Sequence, residues 1–230
     1  MVSSIIEQSI LHKAIEKNLV KFDLVDLRDF GLGNYKQIDD TPYGGGGGMI
    51  LMPEPLFAAL DQILNNLKDS KNVKIVYPSP QGQLWSHSKA MENSDFENLI
   101  FICGHYKDID QRVIDKYVTN EYSIGDYVVT NGEIPAMIMI DSIVRLIPGV
   151  LNNYDSVKTD SFFTDSELDG PYYTKPSEID NLRVPEVLLS GDHKKINKWR
   201  KFERSLRTKN KRPDLWLKRT KEFESLEDKS

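Results

Sequence analysis

Glycine- and proline-rich loops follow several predicted strands and could together form a ligand pocket. They are the segments 44–48, 78–82 and 103–104, with a further loop around Gly125 that leads into Asn131-Gly132-Glu133. Ligands of open α/β sheets bind where strands end and their connections diverge, and glycine lets the backbone approach a ligand closely. The sequence has neither a G-x-G-x-x-G nor a G-x-x-x-x-G-K-[ST] pattern, which disfavours a dinucleotide or nucleoside triphosphate ligand.

Two ionisable residues, Arg145 and Asp160, stand out by their surroundings. Arg145 lies near the end of the apolar segment 135–147, where a guanidinium needs a partner, an anion or an opening to solvent. A favourable contact with a helix C-terminus would explain it equally well. Asp160 lies in an acidic stretch, where a solvated loop residue is the ordinary interpretation. The single cysteine, Cys103, is expected to be a buried structural thiol, and the sequence has no Cys/His cluster for zinc.

Apolar spacing predicts the elements that must position these residues. The predicted helices are an opening amphipathic helix from Ile5 to Ala14, then Pro53–Leu67, Ser86–Met91, Ile109–Tyr117 and Pro135–Ile147. The predicted strands are Phe22–Leu27, Val73–Tyr77, Leu99–Cys103 and Tyr127–Val129. Because helices alternate with continuously apolar strands, the pattern indicates an α/β fold with a parallel sheet covered on both faces.

Charge is distributed unevenly along the 230 residues. The chain has a net charge of −5, yet the segment 194–221 contains 13 Lys and Arg against two acids, so this segment is +11 and the remainder −16. Such asymmetry favours contact with nucleic acid, although a solvated helical face would also produce it. No apolar run is long enough to span a membrane and no secretory signal is visible, so we expect a cytoplasmic protein.

Composition and periodicity divide the sequence into three parts. Residues 1–151 contain the alternating α/β pattern, residues 152–182 lose periodicity and are expected to form a flexible interdomain linker, and residues 183–230 form a basic helical part. From periodicity alone, the first part would be an ordinary doubly wound sheet.

Several motifs occur in an order that is similar to one family. They are Asp39–Gly46, Tyr77–Gly82, Ser123–Val128, Gly132–Ala136, Asp141–Val150, Val184–His193, Trp199-Arg200 and Arg212–Leu215. Together they resemble the bacterial tRNA (guanine-N1-)-methyltransferase family TrmD, over nearly the whole chain. The resemblance implies a parallel-sheet trefoil-knot (SPOUT) α/β domain followed by a small all-helical C-terminal domain that binds tRNA, and an obligate homodimer with an active site shared between subunits.

The resemblance also implies a reaction and the residues that perform it. The reaction is methyl transfer from S-adenosyl-L-methionine (SAM) to N1 of the guanosine immediately 3′ of the anticodon, position 37, and the family is linked to Mg²⁺ dependence. Asp160, from the partner subunit, corresponds to the general base, and Arg145 to the residue that stabilises charge on O6. The implied SAM-binding residues are Tyr77, Pro78, Ser79, Pro80, Gly104, Ile124, Gly125, Asp126, Tyr127, Val128, Val129, Gly132 and Pro135.

Two departures from the family pattern leave alternatives open. The family normally begins with a β-strand before the helix that starts here near Ser3, so we expect one sheet strand to be missing. The usual Gly-Arg-Tyr-Glu-Gly reads Gly-His-Tyr-Lys-Asp at residues 104–108, which places Lys107 where a glutamate is expected. A catalytically weakened homologue that binds SAM and tRNA is therefore one alternative. A related knotted RNA 2′-O-methyltransferase is another, which the motif order disfavours.

Overall fold

The computed structural model describes residues 2–67, 72–152, 158–163 and 166–227, with side chains to residue 220. The chain divides into two compact units, residues 1–152 and 153–230. In the first unit the helices are α1 Val2–Ile6, α2 Ser9–Glu16, α3 Pro53–Asn66, α4 His87–Ser94, α5 Gln111–Tyr117 and α6 Glu133–Val144. Its strands are β1 Asp39–Asp40, β2 Ile50–Leu51, β3 Val73–Leu84, β4 Asn98–Phe101, β5 Asp108–Ile109 and β6 Asn120–Ser123.

A parallel sheet with strand order β4-β3-β6 forms the centre of the first unit. The chain leaves β3 through α4 and returns as β4 on one side, then passes through α5 and returns as β6 on the other side. Consequently the connections diverge at the carboxyl end of β3, the position where open α/β sheets bind ligands. The predicted mixed α/β fold with a parallel sheet is confirmed.

Strand β3 is irregular beyond Pro78. Pro78 and Gln83 both pair with Tyr122 of β6, so the residues between them bulge away from the ladder. The chain returns to β6 at Gly82, where a Cβ would lie 2.4 Å from the backbone carbon of Glu121. Glycine at this position therefore permits the backbone contact that closes the bulge.

Alternation along β3 distributes its side chains between two faces of the sheet. Ile75 and Tyr77 pack in a core with residues of α3 and α5, whereas Val76 packs with Met139 of α6 on the other face. Helix α6 is apolar on nearly all sides, with Met137, Met139 and Ile143 buried and Ile134 and Ile138 exposed. A short second sheet of order β1-β2-β5 places Asp108 in register with Ile50.

The described part of the second unit includes a hairpin and the helices that follow it. The hairpin pairs β7 Glu178–Ile179 with β8 Leu182–Arg183, and the helices are α7 Glu186–Leu189, α8 His193–Lys211 and α9 Pro213–Glu227. Asp180 and Asn181 form the turn at φ values of 51° and 62°, a conformation that Asp and Asn tolerate. The Asp192 side chain caps α8 by accepting hydrogen bonds from the Lys194 and Lys195 amides.

Residues preceding the hairpin pack against α8 and α9. The Leu168 amide donates to Oγ1 of the buried Thr208 at 2.9 Å. Glu167 forms ion pairs with both Arg204 and Arg219, and all three side chains are largely shielded from solvent. Glu167 and Leu168, which belong to the segment predicted as a linker, thus contact the helices of the second unit.

Three predicted elements are wrong. Phe22–Leu27 lies outside any strand of the described chain, and its apolar side chains Leu24 and Val25 are largely exposed, because the segment finds no neighbouring strand to pair with. Tyr127–Val129 is a loop, and the strand lies earlier, at Asn120–Ser123. The single opening helix is instead two helices, since the backbone at Ser9 adopts a φ of 57° that interrupts the hydrogen-bond ladder. Within the described residues, no helix is both long and apolar enough to cross a membrane.

Candidate functional site

A cavity lies in the first unit at the carboxyl ends of β3, β4 and β6. Its wall consists of residues 77–80 from β3, residues 104–108 after β4, residues 122–125 and 127–132 after β6, and Pro135 of α6. Three of the four loops that the sequence singled out thus meet at one place, as expected for the edge where parallel strands end. The fourth, the glycine loop 44–48, is not among the lining residues.

Twelve of the thirteen residues predicted to bind the cofactor line this cavity. They are Tyr77, Pro78, Ser79, Pro80, Gly104, Ile124, Gly125, Tyr127, Val128, Val129, Gly132 and Pro135. The thirteenth, Asp126, is exposed in the same loop and is not among the lining residues. The cavity also includes residues that the sequence analysis did not select, namely His105, Tyr106, Lys107, Asp108, Tyr122, Ser123, Thr130 and Asn131. Their position directly after Gly104 or beside Gly125 is the feature of the sequence that could have identified them.

Gly104 is in close contact with both Gly132 and the Tyr77 side chain at the base of the cavity. The Gly132 amide donates a hydrogen bond of 2.7 Å to the Gly104 carbonyl. A Cβ on Gly132 would lie 2.5 Å from the Gly104 nitrogen, and a Cβ on Gly104 would lie 2.9 Å from the Tyr77 hydroxyl oxygen. Close contact therefore favours glycine at both positions, against main chain at Gly132 and against the Tyr77 side chain at Gly104.

The loop after β6 is held in an unusual conformation by local hydrogen bonds. Gly125 has a φ of +144°, which favours glycine. The Ser123 hydroxyl donates to the Gly125 carbonyl at 3.1 Å and accepts from the Gly125 amide at 3.2 Å. The Tyr127 amide donates to the same carbonyl at 2.9 Å, and its ring lies where a Cβ on Gly125 would be. These contacts fix the shape of the loop before any ligand binds.

A tyrosine and an aspartate are joined inside the cavity. The hydroxyl of the buried Tyr77 donates to Oδ1 of Asp108 at 2.7 Å, and the Ile109 amide donates to the same oxygen at 2.8 Å. Burial and, next, the hydrogen bond to Asp108 hold the pKa of Tyr77 well above its ordinary value. The phenol therefore stays protonated and acts as a hydrogen-bond donor throughout the physiological pH range.

A second polar pair joins the loop after β4 to the start of α6. Nε2 of His105 lies 2.6 Å from Oε1 of Glu133.

Burial and, to a smaller extent, the charge of Glu133 raise the pKa of the Cys103 thiol to about 12, which keeps it protonated and poorly nucleophilic. Within the described part of the chain, no group of three or more His, Cys, Asp and Glu side chains could hold a metal ion.

The two predicted catalytic residues belong to different units. Arg145 is the half-buried residue that ends α6 in the first unit, and its amide donates to the Asp141 carbonyl at 3.2 Å. It is not among the residues that line the cavity. Asp160 is a half-buried residue of the second unit, and its carbonyl accepts from the Phe163 amide at 3.4 Å. The structure describes each of them within its own unit.

A groove in the second unit combines aromatic, aliphatic and basic side chains. It is lined by residues 171–175, Ser177, Val184, Leu188, Leu189, Ile196 and Arg200. Tyr172 is mostly exposed, and the ring of Tyr173 lies 6.4 Å from that of Trp199. Exposed aromatic rings beside basic residues are features that single-stranded nucleic acid can use for stacking and charge neutralisation.

The fold and the cavity define an α/β protein of the kind that binds a small ligand at the carboxyl ends of parallel strands. Residues 1–218 match the sequence profile described as tRNA (Guanine-1)-methyltransferase TrmD, and the chain belongs to that family. It is 45% identical over 216 residues to the tRNA (guanine-N(1)-)-methyltransferase of Clostridioides difficile (strain 630), covering 94% of this chain and 93% of the relative. It is 46% identical over 215 residues to the enzyme of the same name from Staphylococcus aureus (strain JH9), and the match covers 94% of this chain and 86% of that relative. The resemblance drawn from the motifs is confirmed.

Proposed function

We propose that this chain is an enzyme that transfers a methyl group from S-adenosyl-L-methionine to N1 of the guanosine immediately 3′ of the anticodon, position 37, in tRNA. Two observations support the proposal. The chain belongs to the family, and a cavity is lined by residues that the family resemblance assigns to the methyl donor. The printed names of the relatives specify guanine N1 of tRNA as the group methylated. A cytoplasmic location follows from a tRNA substrate.

The cavity suits the methyl donor because much of its wall is backbone. A Cβ at Gly132 would lie 2.5 Å from the Gly104 nitrogen, and a Cβ at Gly104 or Gly125 would lie within 2.9 Å of a tyrosine side chain, so these three glycines leave their backbone uncovered in a crowded wall. Amide and carbonyl groups in such loops can bind the adenine and ribose, while Pro78 and Tyr127 offer apolar contact surfaces. When bound, S-adenosylmethionine supplies a methyl group activated by a positively charged sulfonium.

Proton removal from the base is assigned to Asp160. Guanine N1 carries a proton at neutral pH, and its lone pair becomes available for methylation only when that proton leaves. The Asp160 carboxylate accepts the proton as general base, which typically contributes about 10²–10⁴-fold to the rate. Asp160 lies on the segment that precedes the hairpin of the second unit, and we propose that the partner subunit donates it to the site.

Stabilisation of the deprotonated guanine is assigned to Arg145. Loss of the N1 proton places negative charge on O6, and a positively charged guanidinium that donates a hydrogen bond to O6 stabilises that charge. Arg145 follows helix α6, whose last residues Ile143 and Val144 are buried and so fix the starting point of the Arg145 side chain. The positively charged residue thus lies on a rigid element, as a preorganised electrostatic role requires.

Binding of tRNA is assigned mainly to the second unit. Helix α8 presents exposed basic side chains including Lys194, Lys195, Lys198 and Lys201, and its excess positive charge suits an RNA backbone. Asp192 caps the helix and so stabilises the element that presents them. Helix α8 therefore supplies electrostatic affinity, while the groove beside Tyr172 can contact bases.

We further propose a trefoil knot in the first unit and a homodimer with shared active sites. The knot is supported by family membership and by two places where backbones pass in direct contact, at Gly82 against Glu121 and at Gly132 against Gly104. Only glycine allows such passages without displacing the neighbouring chain. A homodimer is required if Asp160 of one chain acts beside the cavity of another.

The proposed roles are tested by methyl transfer to an unmodified tRNA transcript under single-turnover conditions. Asp160→Asn is expected to lower the rate of 1-methylguanosine formation at least about 100-fold while leaving SAM affinity unchanged. Asp180→Asn, in the hairpin turn of the same unit, is the matched control and should transfer at the wild-type rate. Equal rates for the two variants would contradict the assignment of the general base.

Subunit sharing is tested separately by mixing inactive chains. A chain with Asp160→Ala and a chain with Gly132→Ala should each be inactive, because one lacks the base and the other has a filled cavity wall. Heterodimers formed from them would contain one site with both an intact cavity and an intact aspartate. Activity that appears only after mixing supports a shared site, whereas continued inactivity of verified heterodimers contradicts it.

A further inference from the structure

Among the residues that line the cavity of the first unit, Asp108 is the one carboxylate. It follows Lys107, which lines the same cavity, and the usual family pattern has glycine where this chain has Asp108. The carboxylate is therefore a feature of this chain placed directly at a ligand site. We infer that Asp108 makes the cavity selective for the positively charged methyl donor over its demethylated product, a role that rests on the proposed function.

The position of the Asp108 carboxylate is fixed by two donors. Oδ1 accepts from the Tyr77 hydroxyl at 2.7 Å and from the Ile109 amide at 2.8 Å. Strand β5, which pairs with β2, holds the main chain of Asp108 in place. The charge of this side chain is thus part of a rigid wall, and within the described residues no basic side chain forms an ion pair with it.

Charge distinguishes the two ligands that the enzyme must tell apart. S-adenosylmethionine carries a sulfonium, whereas its product, S-adenosylhomocysteine, has a neutral thioether and is otherwise the same molecule. A fixed carboxylate in the cavity therefore attracts the donor more strongly than the product, and product release is favoured once the methyl group has left. Ribose, adenine and the amino acid group are common to both ligands and contribute no such difference.

Lys107 acts in the opposite direction but more weakly. Its side chain is exposed, while Asp108 is half-buried beside Tyr77. Charges near bulk water are screened by its high dielectric constant and by salt, whereas partly buried charges are screened less. Asp108 therefore dominates the selectivity. Removal of the charge of Asp108 and removal of the charge of Lys107 should change the preference for the donor in opposite directions.

Calorimetric titration of the full-length protein with each ligand tests this inference. Asp108→Asn should weaken the affinity for S-adenosylmethionine about tenfold and change the affinity for S-adenosylhomocysteine less than about twofold, because only the sulfonium is attracted by the carboxylate charge that the variant lacks. Lys107→Gln should raise the preference for the donor by less than about threefold. Retained binding of S-adenosylhomocysteine shows that each variant is folded.

Three results would overturn the inference. They are an equal loss of affinity for both ligands in Asp108→Asn, no loss for either, or a larger change in Lys107→Gln than in Asp108→Asn. Each of these would leave the proposed function intact, since the wild-type protein would still bind the donor. A wild-type protein that binds neither ligand would contradict the proposed function and the inference together.

Discussion

The Gly132 amide hydrogen-bonds to the Gly104 carbonyl at 2.7 Å, and the two residues come from loops that follow different strands of the parallel sheet. Gly104 follows β4, and Gly132 precedes α6 after the chain has passed through β6 on the other side of β3. This contact closes the base of the cavity. It exists because neither residue has a side chain to keep the backbones apart.

Gly132→Ala is expected to damage the cavity. Its Cβ would lie 2.5 Å from the Gly104 nitrogen, so the backbones must separate, at a cost of about 1–3 kcal/mol of stability and most of the affinity for the methyl donor. Gly47→Ala is the matched control, because no atom lies within 4 Å of its added Cβ. Denaturant unfolding and calorimetric titration measure both effects. Equal stability and affinity in the two variants would show that the contact is dispensable.

The buried phenol of Tyr77 should make stability depend on pH in the alkaline range. Its pKa is raised in the folded state, so the folded protein retains this proton above pH 10 while the unfolded chain releases it. The contribution of Tyr77 to the free energy of unfolding is complete below about pH 10, and above that pH it falls by up to about 1.4 kcal/mol per pH unit. A comparison of the unfolding free energies of wild type and Tyr77→Phe between pH 9 and 11 isolates the contribution of this residue. Parallel curves for the two proteins would refute the prediction.

Glu167 is expected to stabilise the second unit through its two ion pairs. Glu167→Gln leaves Arg204 and Arg219 without their shared carboxylate in a partly buried site, which should cost about 2 kcal/mol. Glu178→Gln breaks an exposed pair with Arg183 in the same unit and should cost less than about 1 kcal/mol. Denaturant unfolding followed by tryptophan fluorescence compares them. A larger effect for Glu178→Gln would contradict this account.

Removal of basic residues from α8 should reduce the salt dependence of tRNA binding. The double variant Lys198→Gln and Lys201→Gln is expected to lower the slope of log affinity against log salt by about two, because each lysine that contacts a phosphate contributes about one. Lys21→Gln with Lys36→Gln removes the same charge from the first unit, where both groups are paired with aspartates. Filter binding at several salt concentrations gives the slopes. An identical slope change in both double variants would contradict binding through α8.

Periodicity predicted the elements with strong local patterns and failed where tertiary contacts decide the structure. Helix α3, with its early proline and apolar spacing, was predicted to within one residue as Pro53–Leu67. Strand β6 was missed because Asn120 and Glu121 are polar, and the strand is specified by pairing with β3. Conversely, the apolar segment Tyr127–Val129 has the composition of a strand but is a loop that lines the cavity.

The candidate site was predictable only in part for a similar reason. Glycine loops after apolar segments indicated where a cavity would lie, and the family resemblance supplied the individual residues. Proximity to Gly104 places Asp108 near the site in the sequence, but its role depends on β5 pairing with β2 and on the Tyr77 hydroxyl reaching across from β3. Such a contact between residues 31 positions apart is set by the fold.

The most direct test of the proposed function is nucleoside mass spectrometry of tRNA incubated with this protein and S-adenosylmethionine. Two transcripts that differ only in having G or A at position 37 are compared. We expect 1-methylguanosine to form in the G37 transcript alone, because the reaction requires removal of the guanine N1 proton. Methylation of a ribose 2′-oxygen in both transcripts, or transfer to neither by a protein that binds both S-adenosylmethionine and tRNA, would contradict the proposal.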